Sequence, residues 1–475
     1  MTPKIGQLAQ ELARTNPWWR GVGWERSDPD LQAAAASGLG YRSPCLDDLA
    51  EGGLYLLRGP RRVGKTVAVK QAIAEIIKRG APALSVVRIA ADGWSASDLR
   101  TVVQNVALPP LPEGTRRWWF VDEITAVVDN WARQVKWLRD NDPEFAGATV
   151  VLTGSDAESL TAASGTLAGR RGSAERVDRT LLPIGFRTFS RLVRPGLSDP
   201  QPLRLDELRS TGAEDAYAAL LPWLDDLVGL WDLYLGCGGF PVAVAAARRG
   251  RAIPEWFLDD LFNVVFRDTF AASRLSQTTT SAFVSRLMES MGSPASLSRA
   301  GEDVGVSQAV ASRHADYLRD AYLLWACPQR AEDAWLPRPR AQPKLYATDP
   351  IVARLVHLRN SARPDVDVTV LTEMQVGMAI RRAAMARGWP WASEEFLFYA
   401  RTPTRKEIDF VAEALGGVAI EAKYVESGRW KGEAATVEAS PWQGILVTRN
   451  VLDTTAQERG AWAVPAGILA FLVDT

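Results

Sequence analysis

Apolar positions along the chain follow two rhythms. Between residues 54 and 189, short β-branched or apolar runs at 54–57, 84–89, 118–121 and 149–152 alternate with longer stretches of helical spacing, the first at 66–79. That alternation predicts a parallel sheet covered by helices. The preceding residues are rich in tryptophan and loop signals, with an Ala-rich helical stretch at 31–36, and read as a lead-in that packs on the next domain. Residues 192–212 carry Pro and charge and look like a connection. From 213 to 289 the spacing is helical, broken by Tyr234-Leu235-Gly236-Cys237-Gly238-Gly239-Phe240-Pro241, a turn that two helices can share. Residues 295–326 read as helix, turn, helix, with Val304-Gly305-Val306-Ser307 between a first short helix and a second over 308–324. A proline-rich connector at 336–343 leads to a helix through Glu373. Strand runs follow at 396–400, 407–412, 418–424 and 445–448, and the apolar end at 466–472 reads as one more buried strand.

Composition narrows the chemistry. At 475 residues and 47% hydrophobic content, the chain can bury more than one core. Its formal charge of −1 gives no bulk positive field, so nucleic-acid binding would need local patches. Cys45, Cys237 and Cys327 are widely spaced and form no C-x-x-C, which indicates neither a disulfide framework nor a structural zinc. With only His314 and His357, a His-rich metal site or a Ser-His-Asp triad has almost no room. Catalysis must rest on carboxylates, Lys, Arg and bound metal. No 18-residue apolar stretch exists and the N-terminus lacks the apolar core of a signal peptide, so the expectation is a cytoplasmic protein without a membrane partner.

Gly59-Pro60-Arg61-Arg62-Val63-Gly64-Lys65-Thr66 is a complete G-x(4)-G-K-[ST] phosphate loop leaving the first apolar run. Its glycines let backbone N–H groups turn in around phosphates, Lys65 reaches the β and γ oxygens, and Thr66 offers a hydroxyl to Mg²⁺. The run ending in Asp122-Glu123 supplies a second Mg²⁺ ligand, Asp122, and a base for the attacking water, Glu123. A second acid after the aspartate argues for a hydrolase rather than a kinase. Thr153 and Ser155 end the next strand, where either can sense the γ-phosphate, position the water, or simply make the turn. Arg170 and Arg171 offer guanidinium groups for an arginine finger reaching a neighbouring subunit, or a solvated basic turn.

The wording G-P-R-R-V-G-K-T, V-D-E, L-T-G-S, G-R-R followed by L-P-I-G-F, and Y-L-G-C-G-G-F-P resembles the prokaryotic AAA-type P-loop ATPases that carry a C-terminal domain of unknown function. The resemblance runs along nearly the whole chain. It implies an α/β fold with an AAA-like P-loop parallel sheet, a helical lid, a winged helix and a C-terminal α/β restriction-endonuclease-like domain. The corresponding divisions are a lead-in at 1–52, an ATPase core at 53–190, a lid region at 191–290, a winged helix-turn-helix at 291–345 and a nuclease-like domain at 346–475. ATP with Mg²⁺, and a homo-oligomer, are the implied cofactors and assembly.

A second constellation lies near the end. Asp409 in one predicted strand and Glu421-Ala422-Lys423 in the next form D-x(11)-E-x-K, and a hairpin through Gly416-Gly417 brings them together. With Glu373 on the preceding helix, the set looks like the PD-(D/E)XK nuclease core, which implies Mg²⁺ or Mn²⁺ at Asp409, Glu421 and Glu373 and a water activated by Lys423. Arg outnumbers Lys 46 to nine, yet both chemical slots, Lys65 and Lys423, hold Lys. A degenerate fold keeping a surface ion pair is the alternative. In the helix-turn-helix, Gln308, Ser312 and Arg313 lie on the face that would enter a major groove, although Asp316 and Asp320 weaken the field there and the same face can serve packing. Three functions follow: an ATP-driven DNA-processing enzyme with a metal-dependent DNA-binding or nuclease domain, a nucleotide switch with a non-catalytic docking module, and a branched-DNA motor without cleavage.

Overall fold

The computed structural model describes residues 3–127, 130–154, 157–268, 276–294, 297–391, 393, 395–402, 404–426, 430–456 and 460–474. It comprises two compact units, residues 1–182 and 183–475. The architecture is α/β. Among the described residues no helix is long and apolar enough to cross a membrane.

The first unit is built on a wholly parallel sheet of β1 (Leu54–Arg58), β2 (Val86–Ala90), β3 (Trp118–Asp122), β4 (Thr149–Thr153) and β5 (Asp178–Thr180), in the order β2-β3-β4-β1-β5. Successive side chains of a strand point to opposite faces, and both faces here are apolar. Leu54, Leu56, Val150 and Leu152 pack into one core, with Val87, Trp119 and Leu138. Tyr55, Leu57 and Val151 pack into the other, against Val69 and Ile73 of the helix Lys65–Lys78. Each Val or Leu so buried stabilises the fold by about 1.5–3 kcal/mol. The lead-in is structured: its helix Pro3–Thr15 ends beside the edge strand β2, where Asn16 Nδ2 donates to Arg88 O at 2.8 Å. Trp18 and Trp19 both donate from Nε1 to Val86 O, at 2.9 and 2.8 Å. Those bonds close an edge that would otherwise offer itself to another strand.

The second unit begins with helices, including Leu224–Cys237 and Pro241–Arg248, which share the expected turn. Gly238 sits at φ 69°, and a Cβ there would lie 2.0 Å from Asp349 Oδ1. The helices Leu297–Glu302 and Gln308–Asp320 follow. The second is shorter than expected: the chain turns through Tyr322 at φ 60° into β6 (Leu324–Cys327), which pairs antiparallel with β7 (Lys344–Ala347). The helix Val368–Ala386 then packs on a mixed sheet of β8 (Phe398–Arg401), β9 (Glu407–Val411), β10 (Val418–Ala422), β11 (Gln443–Thr448) and β12 (Trp462–Pro465), in chain order across the sheet. At Gly377 of that helix a Cβ would lie 2.7 Å from the Phe410 ring, so glycine lets helix and sheet approach.

The end of the chain corrects the expectation for 466–472. It is a helix, Ala466–Val473, and the last strand is the short β12 before it. Every residue of the helix is buried, so its apolar pattern has no polar face to reveal the helical period. Pro465 stands at its N-cap.

Candidate functional site

In the first unit, chemistry gathers at the C-terminal ends of β1, β4 and β3. The phosphate loop leaves β1 through Gly59, where an added Cβ would lie 2.0 Å from Leu181 O, so only glycine fits. Arg62 and Gly64 take positive φ, 66° and 99°, turning the loop into the helix that starts at Lys65. Lys65 is buried and donates from Nζ to Gly59 O at 2.9 Å and Pro60 O at 3.0 Å. Burial pulls its ammonium down to about 8, against the opposing pull of the Glu123 and Asp122 carboxylates. Thr66 is half-buried in the first helical turn.

At the end of β3, Asp122 is buried and both its oxygens are held. Thr153 Oγ1 donates to Oδ1 at 2.6 Å and Arg88 Nη2 to Oδ2 at 2.7 Å. Thr153, 0% exposed at the end of β4, also accepts from the Glu123 N–H at 3.3 Å. Its hydroxyl therefore positions both acids. Glu123 itself stands at φ 54°, a left-handed conformation that costs a non-glycine residue of order 1–3 kcal/mol and is typical of functional sites. Gly154 follows because a Cβ would lie 2.5 Å from Thr125, on the turn after β3. Ser155 lies outside the described residues. Arg88 was not singled out from sequence, since an arginine inside a β-branched run carries no motif. Its position is the only signal, two residues before the end of β2 and beside the strand that carries Asp122.

The finger candidates are engaged within their own unit. Arg170 Nε donates to Asp140 Oδ1 at 2.9 Å. Arg171, with 12% of its side chain exposed, pairs with Asp178 Oδ2 at 2.6 Å and donates to Ser164 Oγ at 3.0 Å.

The residues of the first unit fit a magnesium nucleotide: a loop in which a Cβ at Gly59 has no room, a buried ammonium, a helix N-terminus, and a hydroxyl and a carboxylate as oxygen ligands.

In the second unit Glu373, Asp409, Glu421 and Lys423 do converge. Lys423 Nζ lies 2.7 Å from Glu421 Oε1, and the Asp409 N–H donates to Glu421 Oε2 at 3.4 Å. Asp409 Oδ2 accepts from the Ala422 N–H at 2.9 Å. One further residue stands among them. Lys344, at the start of β7, places Nζ 2.8 Å from Glu373 Oε1, 3.0 Å from Asp409 Oδ1 and 2.6 Å from Glu407 Oε1. Tyr346, on the same face of β7, donates its hydroxyl to Glu373 Oε1. Burial, reinforced by Asp409, raises the Glu373 carboxyl to about 8 and the Glu421 carboxyl to about 7. Burial alone would lower both lysines, but the surrounding carboxylates carry Lys344 and Lys423 above the ordinary value. Among the described residues no group of three or more His, Cys, Asp or Glu side chains is placed to hold a metal ion. At the position between Glu373 and Asp409, where Mg²⁺ or Mn²⁺ is expected, stands the Lys344 ammonium. The proline-rich stretch before Lys344 reads as a connector, which is why this lysine escaped the sequence reading. In the helix Gln308–Asp320, Gln308 and Arg313 are exposed and Ser312 half-buried, while His314 turns inward against Phe283.

Two family models match the chain: an AAA domain over residues 51–190, and a domain of unknown function (DUF8612) over 229–362. The first unit thus has an AAA-like P-loop fold. No curated protein matches. Among solved structures, a Walker-type ATPase of Pyrococcus abyssi is 12% identical, with 64% of this chain and 91% of that chain covered and a TM-score of 0.37. The Aeropyrum pernix ORC2 protein is 13% identical over 63% and 88%, with a TM-score of 0.32. A Thermotoga maritima RuvB variant is 15% identical over 64% and 88%, with a TM-score of 0.27. These likenesses are too loose to transfer any property from those proteins.

Proposed function

We propose that the protein is a Mg²⁺-dependent ATP hydrolase whose turnover is tied to DNA engagement by its second unit. The observation that carries the reading is the convergence of three strand ends: β1 runs into the phosphate loop, β3 ends in Asp122 and Glu123, and β4 between them ends in the Thr153 hydroxyl that holds both acids. Lys65 and the helix N-terminus supply positive field for the phosphates, and Thr66 and Asp122 supply oxygen ligands. When bound, Mg²⁺ neutralises charge on the β and γ oxygens. Glu123 orients the attacking water and takes its proton. Thr153 holds the Asp122 carboxylate and the Glu123 main chain in register.

The DNA part rests on the outward face of the helix Gln308–Asp320, with Gln308 and Arg313 exposed. Arg170, although paired with Asp140, is the better candidate to reach a neighbouring copy in a homo-oligomer, because its side chain is 33% exposed against 12% for Arg171, which is paired with Asp178. Steady-state ATP turnover of the full chain, with and without linear, branched and single-stranded DNA, tests the reading. Glu123→Gln should still bind ATP but lose turnover by on the order of 10²–10⁴. DNA should raise the wild-type rate. Unchanged turnover in Glu123→Gln refutes hydrolysis at this site, and a rate indifferent to every DNA leaves a nucleotide switch with a protein partner.

A further inference from the structure

We propose that Lys344 is the permanent counter-ion of the Glu373, Glu407, Asp409 and Glu421 cluster, standing where a divalent metal would have to sit, so that the cluster binds no metal and does not cut phosphodiesters. This rests on the second unit alone and stands or falls independently of the ATPase reading.

Three distances carry it. A primary ammonium has three hydrogens, and Lys344 Nζ meets three carboxylate oxygens at 2.6, 2.8 and 3.0 Å, one each from Glu407, Glu373 and Asp409. Nζ hydrogen-bonds to Glu373 and Asp409 and pairs by charge with Glu407, and the side chain is 1% exposed. A divalent ion shared by Glu373 and Asp409 would need oxygens at roughly 2.0–2.6 Å from the point the nitrogen already fills. Ammonium and metal cannot both be there.

Nor can the lysine readily leave. Its backbone is paired in β7 opposite Cys327 of β6, and its Nζ lies 5.7 Å from the centre of the Tyr399 ring. Removing the ammonium would leave the buried Glu373 and Asp409 carboxylates without their shared counter-ion. Asp409 Oδ2 is also engaged, by the Ala422 N–H, and Glu421 by Lys423 and the Asp409 N–H. Lys423, which a cleavage mechanism would need near a metal-bound water, instead closes an ion pair with Glu421.

Metal uptake decides the matter. Mn²⁺ is titrated into the nucleotide-free full-length chain, with free Mn²⁺ followed by electron paramagnetic resonance. Wild type, Asp409→Asn and Glu421→Gln should take up the same amount. Lys344→Met keeps the length of the stem without the charge, and should gain one site bound on the order of a hundredfold more tightly than anything in wild type. The double variant Lys344→Met/Asp409→Asn should lose it. A wild-type Mn²⁺ site that disappears in Asp409→Asn overturns the proposal, as does a folded Lys344→Met that gains none. If Lys344→Met does not fold, the comparison of wild type with Asp409→Asn and Glu421→Gln decides alone: equal uptake supports the proposal and unequal uptake overturns it. DNA cutting with Mn²⁺ that is lost in Asp409→Asn would refute it as well.

Discussion

Lys65 carries the proposed phosphate contact, yet in the nucleotide-free chain it should be a liability to stability. Its ammonium is buried, and the fall from an ordinary 10.5 to about 8 corresponds to roughly 3 kcal/mol by which folding disfavours the charged form. Between about 8 and 10.5 the unfolded chain binds the proton and the folded chain does not, so stability rises with pH across that window. At pH 7 both forms are protonated and the penalty is complete. Lys65→Met removes it, but also removes the bonds from Nζ to Gly59 O and Pro60 O, worth about 1 kcal/mol each. The balance predicts a nucleotide-free variant more stable than wild type by about 1 kcal/mol. Its stability should no longer rise between pH 8 and 10. Saturating Mg·ATP at a hundredfold over Kd should stabilise wild type by about 2.7 kcal/mol and the variant hardly at all. Urea unfolding followed by the tryptophans, with and without Mg·ATP, measures all three. A variant less stable than wild type without nucleotide would refute the assignment of a desolvation penalty to Lys65.

Arg88→Met should cost about 3 kcal/mol without nucleotide, because it strands the buried Asp122 carboxylate with Thr153 as its remaining hydrogen-bond donor. If Asp122 is a metal ligand, Mg·ATP should then stabilise the variant more than wild type, while ATP with a chelator should not; thermal melts under the two conditions distinguish them. Asp349 gives a pH signature in the second unit. Burial raises its carboxyl to about 6 from 3.8, so the unfolded chain loses its proton first and stability falls by about 3 kcal/mol between pH 4 and 6. Asp349→Asn should remove that slope, leaving a constant offset from the lost acceptor for the Gly239 N–H at 2.7 Å. Urea midpoints of wild type and variant across that range provide the check.

What could be read from sequence divides by physical cause. The four principal strands of the first sheet and the loop chemistry were legible because continuous apolar runs and glycines at fixed offsets have one structural use each. β5 was not, since Asp178-Arg179-Thr180 has no apolar signature and is a strand only because β1 pairs with it, Leu56 opposite Asp178. The terminal helix was hidden for the opposite reason, being apolar on all sides. The candidate sites show the same division. Asp122, Glu123, Asp409, Glu421 and Lys423 stand in local patterns, whereas Arg88 and Lys344 do not, because their meaning lies in what the fold sets against them: Asp122 from the adjacent strand, and three carboxylates from a helix and a sheet. Both are cations that answer acids already found. Two buried carboxylates with one half-exposed lysine leave a charge deficit that the interior cannot tolerate, so a missing counter-ion was implied by the motif itself. A metal is the reading that a motif permits; Lys344, 65 residues upstream of Asp409, is a cation that only the assembled unit brings to it.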